Sequence, residues 1–442
     1  MDLLEQIKEA GIIGAGGAGF PTHAKLTGEA EFILMNAAEC EPLLRVDQQL
    51  LSLYTDDILT GFEAAGRLVK AKEAIIGIKG KHKGVIQRLE ERIKALHVED
   101  YIKIHELRDV YPSGDEQVLV YELTGRIVPE TGIPLKVGCV VINVETTLNI
   151  FRASKGKSVT DTYVTVAGDV PHPITLKVPV GTAIAEVLKA TGIDKIEDYT
   201  VIDGGPMMGP LLADINGYVT KKSKGYVILK KDHYLIRKKS MTAAQERILG
   251  RSACEQCRMC TDLCPRYLLG HDMQPHKLMR DSKYNIEDLQ AVLTAQLCSQ
   301  CGLCALFACP ANLQPKLINN YYKDKLGAAK LKYKPVKESY KAREARDYRL
   351  VPIKRLIARL GLREFDKPAA LQPLPFRPDY VNISLRQHIG APSQAVVAVG
   401  DSVERGQLIG AIPENSLGAT VHASMSGKVT EVTNNSILIK VG

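Results

Sequence analysis

The pattern of apolar and polar residues changes several times along this chain of 442 residues. Residues 2–10 place their apolar side chains on one side of a short amphipathic helix, and the apolar run at 32–39 predicts a strand. Alternating apolar and polar positions at 162–180, interrupted by Pro and Gly, predict paired strands. A predicted helix at 182–192 follows, and then a strand that leads into Gly204. The order strand, strand, helix, strand suggests a β-grasp unit.

The pattern is different in the C-terminal part of the chain. Residues 316–370 are rich in Lys, Arg and Tyr and have apolar residues at helical spacing at 356–362, so we expect an exposed connector or a helix that wraps over another domain. The proline-rich stretch 371–380 is interpreted as a linker. From about residue 382, short strands separated by turns predict a barrel-sandwich hybrid without a modifiable lysine; a generic β domain is the alternative.

Composition and charge narrow the possible classes of protein. The formal net charge is +8, and Lys and Arg gather at 221–239 and 322–355, which indicates either solvated faces or a docking surface for an acidic protein or an anionic cofactor. The absence of Trp and of any nucleic-acid motif argues against nucleic-acid binding. No apolar run is long enough for a membrane span, and the first residues lack a signal-peptide core, so we expect a soluble cytoplasmic protein.

The cysteines carry the strongest chemical signal in the sequence. Eight of the ten Cys residues fall within 254–309, and a disulfide framework is not expected in a cytosolic chain of this size. Two runs of three thiols at two-residue spacing, each followed by Cys-Pro, are typical of a two-cluster ferredoxin, in which the fourth Cys of each run binds the other cluster. The predicted ligands are Cys254, Cys257, Cys260 and Cys309 for one [4Fe–4S] cluster, and Cys264, Cys298, Cys301 and Cys304 for the other.

The alternative to two [4Fe–4S] clusters is a pair of zinc sites, but zinc sites usually have two close pairs of ligands separated by a longer stretch. The second run has four residues, 305–308, where three are usual, and a one-residue bulge can absorb the difference. Between the runs, residues 286–296 predict a helix that a minimal ferredoxin does not have.

A glycine-rich loop, GAGGAGFPTHAKL at 14–26, has the spacing of a dinucleotide fingerprint. Such a fingerprint needs a buried strand before it and a helix after it, whereas a helix precedes this loop and Pro21 follows it. The alternatives are a tight turn without a ligand, or a backbone cradle for a ring system or a phosphate. Lys25 is a cation within reach of an anion, and the polar residues after the strand at 32–39 favour a ligand at that strand end.

Four stretches in the same order resemble a known group of flavoproteins. They are GGAGFPT (16–22) with Lys25, NAAECEP (36–42), YPSGDEQ (111–117) and NVET (143–146). The chain resembles the FMN- and NADH-binding subunit of respiratory complex I and, more closely, the C subunit of Rnf electron-transport complexes. Ala15 and Ala38 stand where complex I has Arg and Asp, and both fit the Rnf-type pattern.

The resemblance implies a set of cofactor contacts. Residues of the glycine loop and of two strand ends would hold FMN. Phe20 and either Glu39 or Glu41 would flank the nicotinamide and ribose of NADH, and the YPSGDEQ stretch would lie beside them. The implied residues are Gly14, Gly16, Gly17, Gly19, Phe20, Lys25, Asn36, Glu39, Glu41, Gly114, Asp115, Glu116, Asn143 and Thr146. No general acid, base or nucleophile is expected, since the cofactors carry the chemistry.

The resemblance also implies a multidomain fold of α/β and α+β class. The expected parts are a Rossmann-like FMN/NADH domain (1–157), a soluble-ligand-binding β-grasp (SLBB) domain (158–238), a ferredoxin-like helical domain with two [4Fe–4S] clusters (240–325), a basic connector (326–380) and a barrel-sandwich hybrid (381–442). In Rnf C subunits the barrel-sandwich module precedes the flavin domain, whereas here it comes last. This order is similar to that of the cobalamin reductases of propanediol-utilisation microcompartments.

Membership of that group would imply a specific reaction. NADH would reduce FMN, and single electrons would pass through two [4Fe–4S] clusters to a corrinoid, taking cob(III)alamin to cob(II)alamin and cob(I)alamin. Implied partners are a corrinoid or a corrinoid adenosyltransferase and, inside a bacterial microcompartment, a shell protein. The alternatives are an Rnf-type subunit that serves an NADH:ferredoxin complex and a non-enzymatic electron-transfer adaptor without flavin.

Overall fold

Four parallel strands form the sheet of the N-terminal module in the computed structural model, which describes residues 2–193, 195–284, 288–372 and 376–442. The strand order is β3-β2-β1-β5, so the chain changes direction at β1, as in a Rossmann-like fold. The strands of this part of the chain are β1 (Phe32–Ala37), β2 (Glu73–Lys79), β3 (Ile102–Leu107), β4 (Val110–Tyr111), which lies outside this sheet, and β5 (Cys139–Asn143).

Helices cover both faces of this sheet, which explains why β1, β2 and β5 are apolar at most positions, whereas the edge strand β3 also carries Lys103, His105 and Glu106. The helices are α1 (Leu3–Glu9), α2 (Thr22–Lys25), α3 (Asp47–Leu53), α4 (Thr55–Leu68), α5 (Lys83–Ala95), α6 (Glu116–Thr124) and α7 (Val144–Ser154). Alternate residues of β1 point to opposite faces: Ile33 and Met35 join the core beneath α4 and α7, and Leu34 joins the core beneath α6. The predicted N-terminal helix and the strand at 32–37 are confirmed.

The second sheet has the strand order β11-β7-β6-β9-β8. Its strands are β6 (Asp161–Gly168), β7 (Ile174–Pro179), β8 (Tyr199–Asp203), β9 (Gly225–Lys230) and β11 (Leu371–Gln372). β6 and β7 pair antiparallel, as the alternating pattern predicts, and β6 and β9 pair parallel. Helix α8 (Ile184–Lys189) is shorter than the predicted 182–192.

Short helices make up the cysteine-rich module. They are α9 (Tyr234–Lys239), α10 (Ala243–Ala253), α11 (Met259–Asp262), α12 (Pro265–Leu268), α13 (Pro275–Tyr284), α14 (Leu289–Leu293) and α15 (Pro315–Ala328), with a 3₁₀ turn at Thr294–Leu297 and a π-helical turn at Cys304–Ala308. The helix predicted at 286–296 is confirmed from 289 onward as α14 and the 3₁₀ turn; residues 286 and 287 lie outside the described part of the chain.

The basic connector is integrated into the other modules. β10 (Val351–Pro352) pairs antiparallel with β4 beside the first sheet, and β11 adds an edge strand to the second sheet. Helix α16 (Ile353–Arg359) buries Leu356 completely in a core that also contains Met207 and Cys301. Helix α16 therefore agrees with the alternative of a wrapping helix, because it buries apolar side chains, whereas most residues of 327–350 are exposed, as the alternative of an exposed connector predicts. Residues 373–375 of the predicted linker lie outside the described residues.

The C-terminal module consists of two small sheets, with strand orders β12-β18-β17-β14 and β13-β15-β16. Apolar residues from both sheets form one core, which includes Ile383, Ile409 and Ile439. The strands are β12 (Tyr380–Ser384), β13 (Gln394–Ala395), β14 (Ser402–Val403), β15 (Leu408–Ala411), β16 (Val421–His422), β17 (Gly427–Val432) and β18 (Ser436–Val441). The prediction of short strands separated by turns is confirmed.

Some lysines of the basic stretch 221–239 lie inside the molecule. The Lys221 ammonium donates hydrogen bonds of 2.8 Å to the carbonyl oxygens of Gly11 and Thr420, so it joins three modules. Lys238 is also buried. For Lys221 and Lys238, the interpretation of a solvated face is therefore wrong, because both residues are buried. Within the described part of the chain, no helix combines the length and apolar character needed to cross a membrane.

Candidate functional site

A cavity of about 330 Å³ opens at the carboxyl ends of β1 and β5, where the chain changes direction in the sheet. Ligands of open α/β sheets bind in such crevices. Eleven of the predicted cofactor contacts line it: Gly14, Gly16, Gly17, Gly19, Phe20, Lys25, Asn36, Gly114, Glu116, Asn143 and Thr146. Val141 and Ile142 of β5 add an apolar wall that sequence reasoning missed, because their side chains resemble those of any buried strand.

The glycine loop forms one wall of this cavity. Its ends are held together by a hydrogen bond of 2.9 Å from the Gly14 amide to the Phe20 carbonyl oxygen. Gly16 and Gly19 have φ of +71° and +74°, which favours glycine, and a Cβ added to Gly17 would meet no atom within 4 Å. The glycines of the loop therefore present backbone without side chains to the cavity, which lets a planar ring system lie close against it.

Polar contacts hold the remaining walls in place. The Thr146 hydroxyl accepts a hydrogen bond of 2.9 Å from the Ala15 amide, which attaches the loop to the first turn of α7. The Asn36 amide donates to the Gly114 carbonyl oxygen at 2.9 Å. The Lys25 ammonium lies 2.9 Å from the Glu116 carboxylate, so an ion pair forms part of the cavity lining.

Glu39, Glu41 and Asp115, which the resemblance also implied as contacts, lie outside this cavity. The carboxylate of Glu39 accepts hydrogen bonds from the backbone amides of Val46 and Asp47. Its backbone has φ of +33°, an unusual value for a residue with a side chain. Burial, together with the nearby negative charge of Asp47, raises the pKa of Glu39 to about 7.

Glu41 connects the first module to the turn that follows β8. Its carboxylate accepts hydrogen bonds of 2.9 Å from the backbone amides of Met207 and Met208, and burial raises its pKa. The Met207 side chain is fully buried, so its role in the Met-Met-Gly turn at 207–209 is packing in the protein interior.

Asp115 connects the first module to the cysteine-rich module. Its carboxylate accepts hydrogen bonds from the Gln117 and Val118 amides at the start of α6. It also lies 2.6 Å from the Arg266 guanidinium, and both side chains are only 10% exposed. Asp115 is therefore a buried structural link next to two cavity residues, Gly114 and Glu116.

The structure brings together the first predicted set of cluster ligands. Cys254, Cys257, Cys260 and Cys309 line a cavity of about 50 Å³, with the fourth cysteine contributed by the second run, as the crossing pattern predicts. The Gln256 amide donates to the Cys254 sulfur at 3.2 Å, and the Leu313 backbone amide donates to the Cys309 sulfur at 3.3 Å. Such N–H···S contacts suit cluster-bound thiolates.

The second predicted set, Cys264, Cys298, Cys301 and Cys304, lies deeper in the protein. The π-helical turn at Cys304–Ala308 accommodates the extra residue before Cys309, because a π turn contains one more residue than an α turn. None of the ten cysteines, all of which lie in the described part of the chain, forms a disulfide. Among the described residues, no group of three or more His, Cys, Asp or Glu side chains is arranged to hold a single metal ion.

The two cysteine sets differ in their surroundings. The second set is joined to the N-terminal module: the Tyr111 hydroxyl donates to the Cys301 carbonyl oxygen at 2.7 Å, and Arg266, two residues after Cys264, pairs with Asp115. The first set reaches the surface, because Cys257 is exposed. The second set thus contacts the module that contains the cavity, and the first set opens to solvent.

Comparison with known proteins accounts for most of this architecture. Family models match at residues 7–152 (Nuo51 FMN-binding domain), 253–314 (4Fe-4S dicluster domain) and 363–440 (RnfC barrel sandwich hybrid domain). The chain is 41% identical to cobalamin reductase PduS of Citrobacter freundii, over 98% of this chain and 95% of that protein. It belongs to the PduS cobalamin reductase family. The PduS protein of Salmonella typhimurium is also 41% identical, over 100% of this chain and 97% of that protein.

More distant relatives agree with this family assignment. The C subunit of the Na⁺-translocating ferredoxin:NAD⁺ oxidoreductase complex of Acetobacterium woodii is 30% identical, over 64% of this chain and 61% of that protein. An NAD⁺-reducing [NiFe]-hydrogenase in its H₂-reduced state has the same fold, with a TM-score of 0.50, 22% identity, and coverage of 75% of this chain and 62% of that one. FMN and two [4Fe–4S] clusters are confirmed as the cofactors of this family member.

Lys25→Glu is expected to weaken FMN binding by roughly tenfold or more, because two carboxylates would then face the cavity where one ion pair is present now. The flavin released from the purified protein by heat measures this effect. Lys83→Glu, which alters an exposed ion pair with Glu106 outside the cavity, is the control. Unchanged flavin content in Lys25→Glu would contradict a role for Lys25 in holding the cofactor.

Proposed function

We propose that this protein is an NADH-dependent reductase that delivers single electrons to a corrinoid, taking cob(III)alamin to cob(II)alamin and cob(I)alamin. The observation that carries this proposal is the near full-length identity of 41% to two proteins named cobalamin reductase. The arrangement of sites supports it as well: a flavin-type cavity in the N-terminal module, a cysteine set that contacts this module, and another set that reaches the surface.

The residues of the chain bind and orient the cofactors. When bound, FMN exchanges a pair of electrons with NADH, and iron–sulfur clusters carry electrons singly. The backbone of Gly16, Gly17 and Gly19 would support the ring, and Lys25 would offset negative charge on FMN. Asn143 and Thr146 lie at the start of α7, where a helix N-terminus favours a phosphate group. Phe20, at the end of the loop, lines the same cavity and would flank the nicotinamide.

The exit for electrons is proposed at the exposed cysteine set. Cys257, Arg258 and Met259 form an accessible stretch there, with Met259 42% exposed. The second set contacts the N-terminal module, which supports its role as the inner site. A corrinoid, free or held by a corrinoid adenosyltransferase, would approach the Cys257 surface.

The cellular setting and the domain limits belong to the same proposal. The relatives named PduS suggest a role in 1,2-propanediol utilisation, in the cytoplasm within a bacterial microcompartment, where a shell protein would be a further partner.

The proposed domain limits divide the chain into five parts, 1–157, 158–238, 240–325, 326–380 and 381–442. The second part is proposed to be a β-grasp (SLBB) domain. The five-stranded mixed sheet and helix α8 support that domain type.

One anaerobic absorbance series tests the proposed function. The purified protein should show flavin bands above a broad iron–sulfur shoulder, NADH should bleach both, and hydroxocobalamin should then restore them. A protein with clusters but without flavin would favour the electron-transfer adaptor. Bleaching by NADH without reoxidation by hydroxocobalamin would favour the Rnf-type subunit and overturn the corrinoid assignment.

A further inference from the structure

A lysine next to the second sheet packs against the glycine loop that lines the cavity of the N-terminal module. Lys224 immediately precedes β9, and its side chain is only 11% exposed. It extends beneath the glycine loop: a Cβ added to Gly16 would lie 3.0 Å from Lys224 Cγ and 3.1 Å from its Cε. The loop therefore rests on an alkyl chain that belongs to a different module.

The ammonium of Lys224 reaches two buried carboxylates of the N-terminal module. It lies 2.6 Å from Glu145 Oε2 and 3.2 Å from Asp47 Oδ1, and these side chains are 2% and 9% exposed. Burial alone would lower the pKa of Lys224, but the carboxylates of Asp47 and Glu145 raise it above its ordinary value. The lysine is therefore charged and offsets negative charge at a site that is largely shielded from water.

Both carboxylates are connected to residues that line the cavity. Asp47 accepts a hydrogen bond of 3.0 Å from the Asn143 side-chain amide. Glu145 lies between Asn143 and Thr146 in the first turn of α7, and its other oxygen accepts a hydrogen bond from the Thr162 hydroxyl at 3.1 Å. Without Lys224, two buried carboxylates would face each other beside the turn that carries these cavity residues.

We propose that Lys224 is a positioning residue for FMN, by which the second module completes the cofactor site of the first. Its ammonium holds the first turn of α7 through Glu145 and orients Asn143 through Asp47, and its alkyl chain supports the glycine loop. The anionic phosphate of FMN would otherwise approach uncompensated carboxylates. This inference rests on the proposed location of FMN in this cavity.

The test measures FMN affinity directly. The full-length protein with its clusters intact is stripped of flavin and titrated with FMN, and quenching of flavin fluorescence gives the dissociation constant. Lys224→Met should weaken binding by roughly tenfold or more, whereas Lys224→Arg should retain most of the affinity because it keeps the charge. Lys177→Met, a control in the same sheet whose ammonium lies 3.4 Å from Asp161, should bind FMN like the parent.

A paired variant separates charge compensation from a general loss of structure. Lys224→Met combined with Glu145→Gln should recover part of the lost affinity, since it removes one charge of each sign. Equal affinity in Lys224→Met and the parent would overturn the proposal, as would the absence of any recovery in the double variant.

If Lys224→Met does not fold, as judged by far-ultraviolet circular dichroism and iron content, Glu145→Gln alone is measured. Weaker FMN binding by that variant supports the proposal, and unchanged binding overturns it. A parent protein that binds no FMN would instead refute the proposed function.

Discussion

Cys257→Ala is expected to abolish electron delivery to cobalamin while NADH still reduces the bound FMN. Cys257 is the exposed member of the set that lines the outer cluster cavity, and an alanine cannot bind iron. The flavin cavity draws its lining from a separate part of the chain, 14–146, so it should remain intact. Cobalamin reduction should fall by roughly 100-fold or more, and roughly half of the iron should be lost, because one of two clusters cannot assemble.

The measurements for this variant are iron content, NADH-dependent bleaching at the flavin band and the rate of cobalamin reduction. Cys139→Ala is the matched control, since Cys139 is buried in β5 outside both cysteine sets and should keep both activities and all of its iron. Loss of flavin reduction in Cys257→Ala would contradict separate flavin and cluster modules. Normal cobalamin reduction in that variant would contradict the assignment of the outer set as the exit.

The sequence was most informative where a local spacing directly reflects the chemistry. The two-residue spacers of the cysteine runs predict two sets with exchanged fourth members, and the structure places Cys309 with the first set. The extra residue in the second run predicts a local bulge, and a π-helical turn is present there. The glycine loop, Asn36 and Asn143 were predicted to lie around one ligand, and they line one cavity because parallel strands end at one edge of the sheet.

Sequence reasoning failed where a residue's role depends on a distant partner. Glu39, Glu41 and Asp115 occur within or beside motif residues, but each side chain is held by backbone amides outside the cavity. Lys224 was part of a charged run, and nothing in that run distinguishes a buried lysine from a solvated one. The two-residue strand β10 has no periodicity of its own and forms only because β4, far away in sequence, pairs with it.

Arg266→Met is expected to destabilise the contact between the flavin and cluster modules. The change leaves the Asp115 carboxylate buried without its cation, and the loss of one partner of a buried ion pair typically costs about 3–5 kcal/mol. Asp115 also caps α6, whose first residue, Glu116, lines the flavin cavity. We therefore expect a lower thermal midpoint, and NADH-driven bleaching of the iron–sulfur shoulder should become slower than that of the flavin bands.

A double variant identifies the physical cause of this effect. Arg266→Met with Asp115→Asn removes both charges and keeps an N-cap side chain, so most of the lost stability should return, since a buried pair contributes much less than its broken half costs. Arg92→Met, which breaks an exposed pair with Asp56, should leave the thermal midpoint nearly unchanged. If the double variant is as unstable as Arg266→Met, packing of the arginine side chain holds the modules together. If cluster bleaching keeps its normal rate in Arg266→Met, electrons reach the inner cysteine set without this contact.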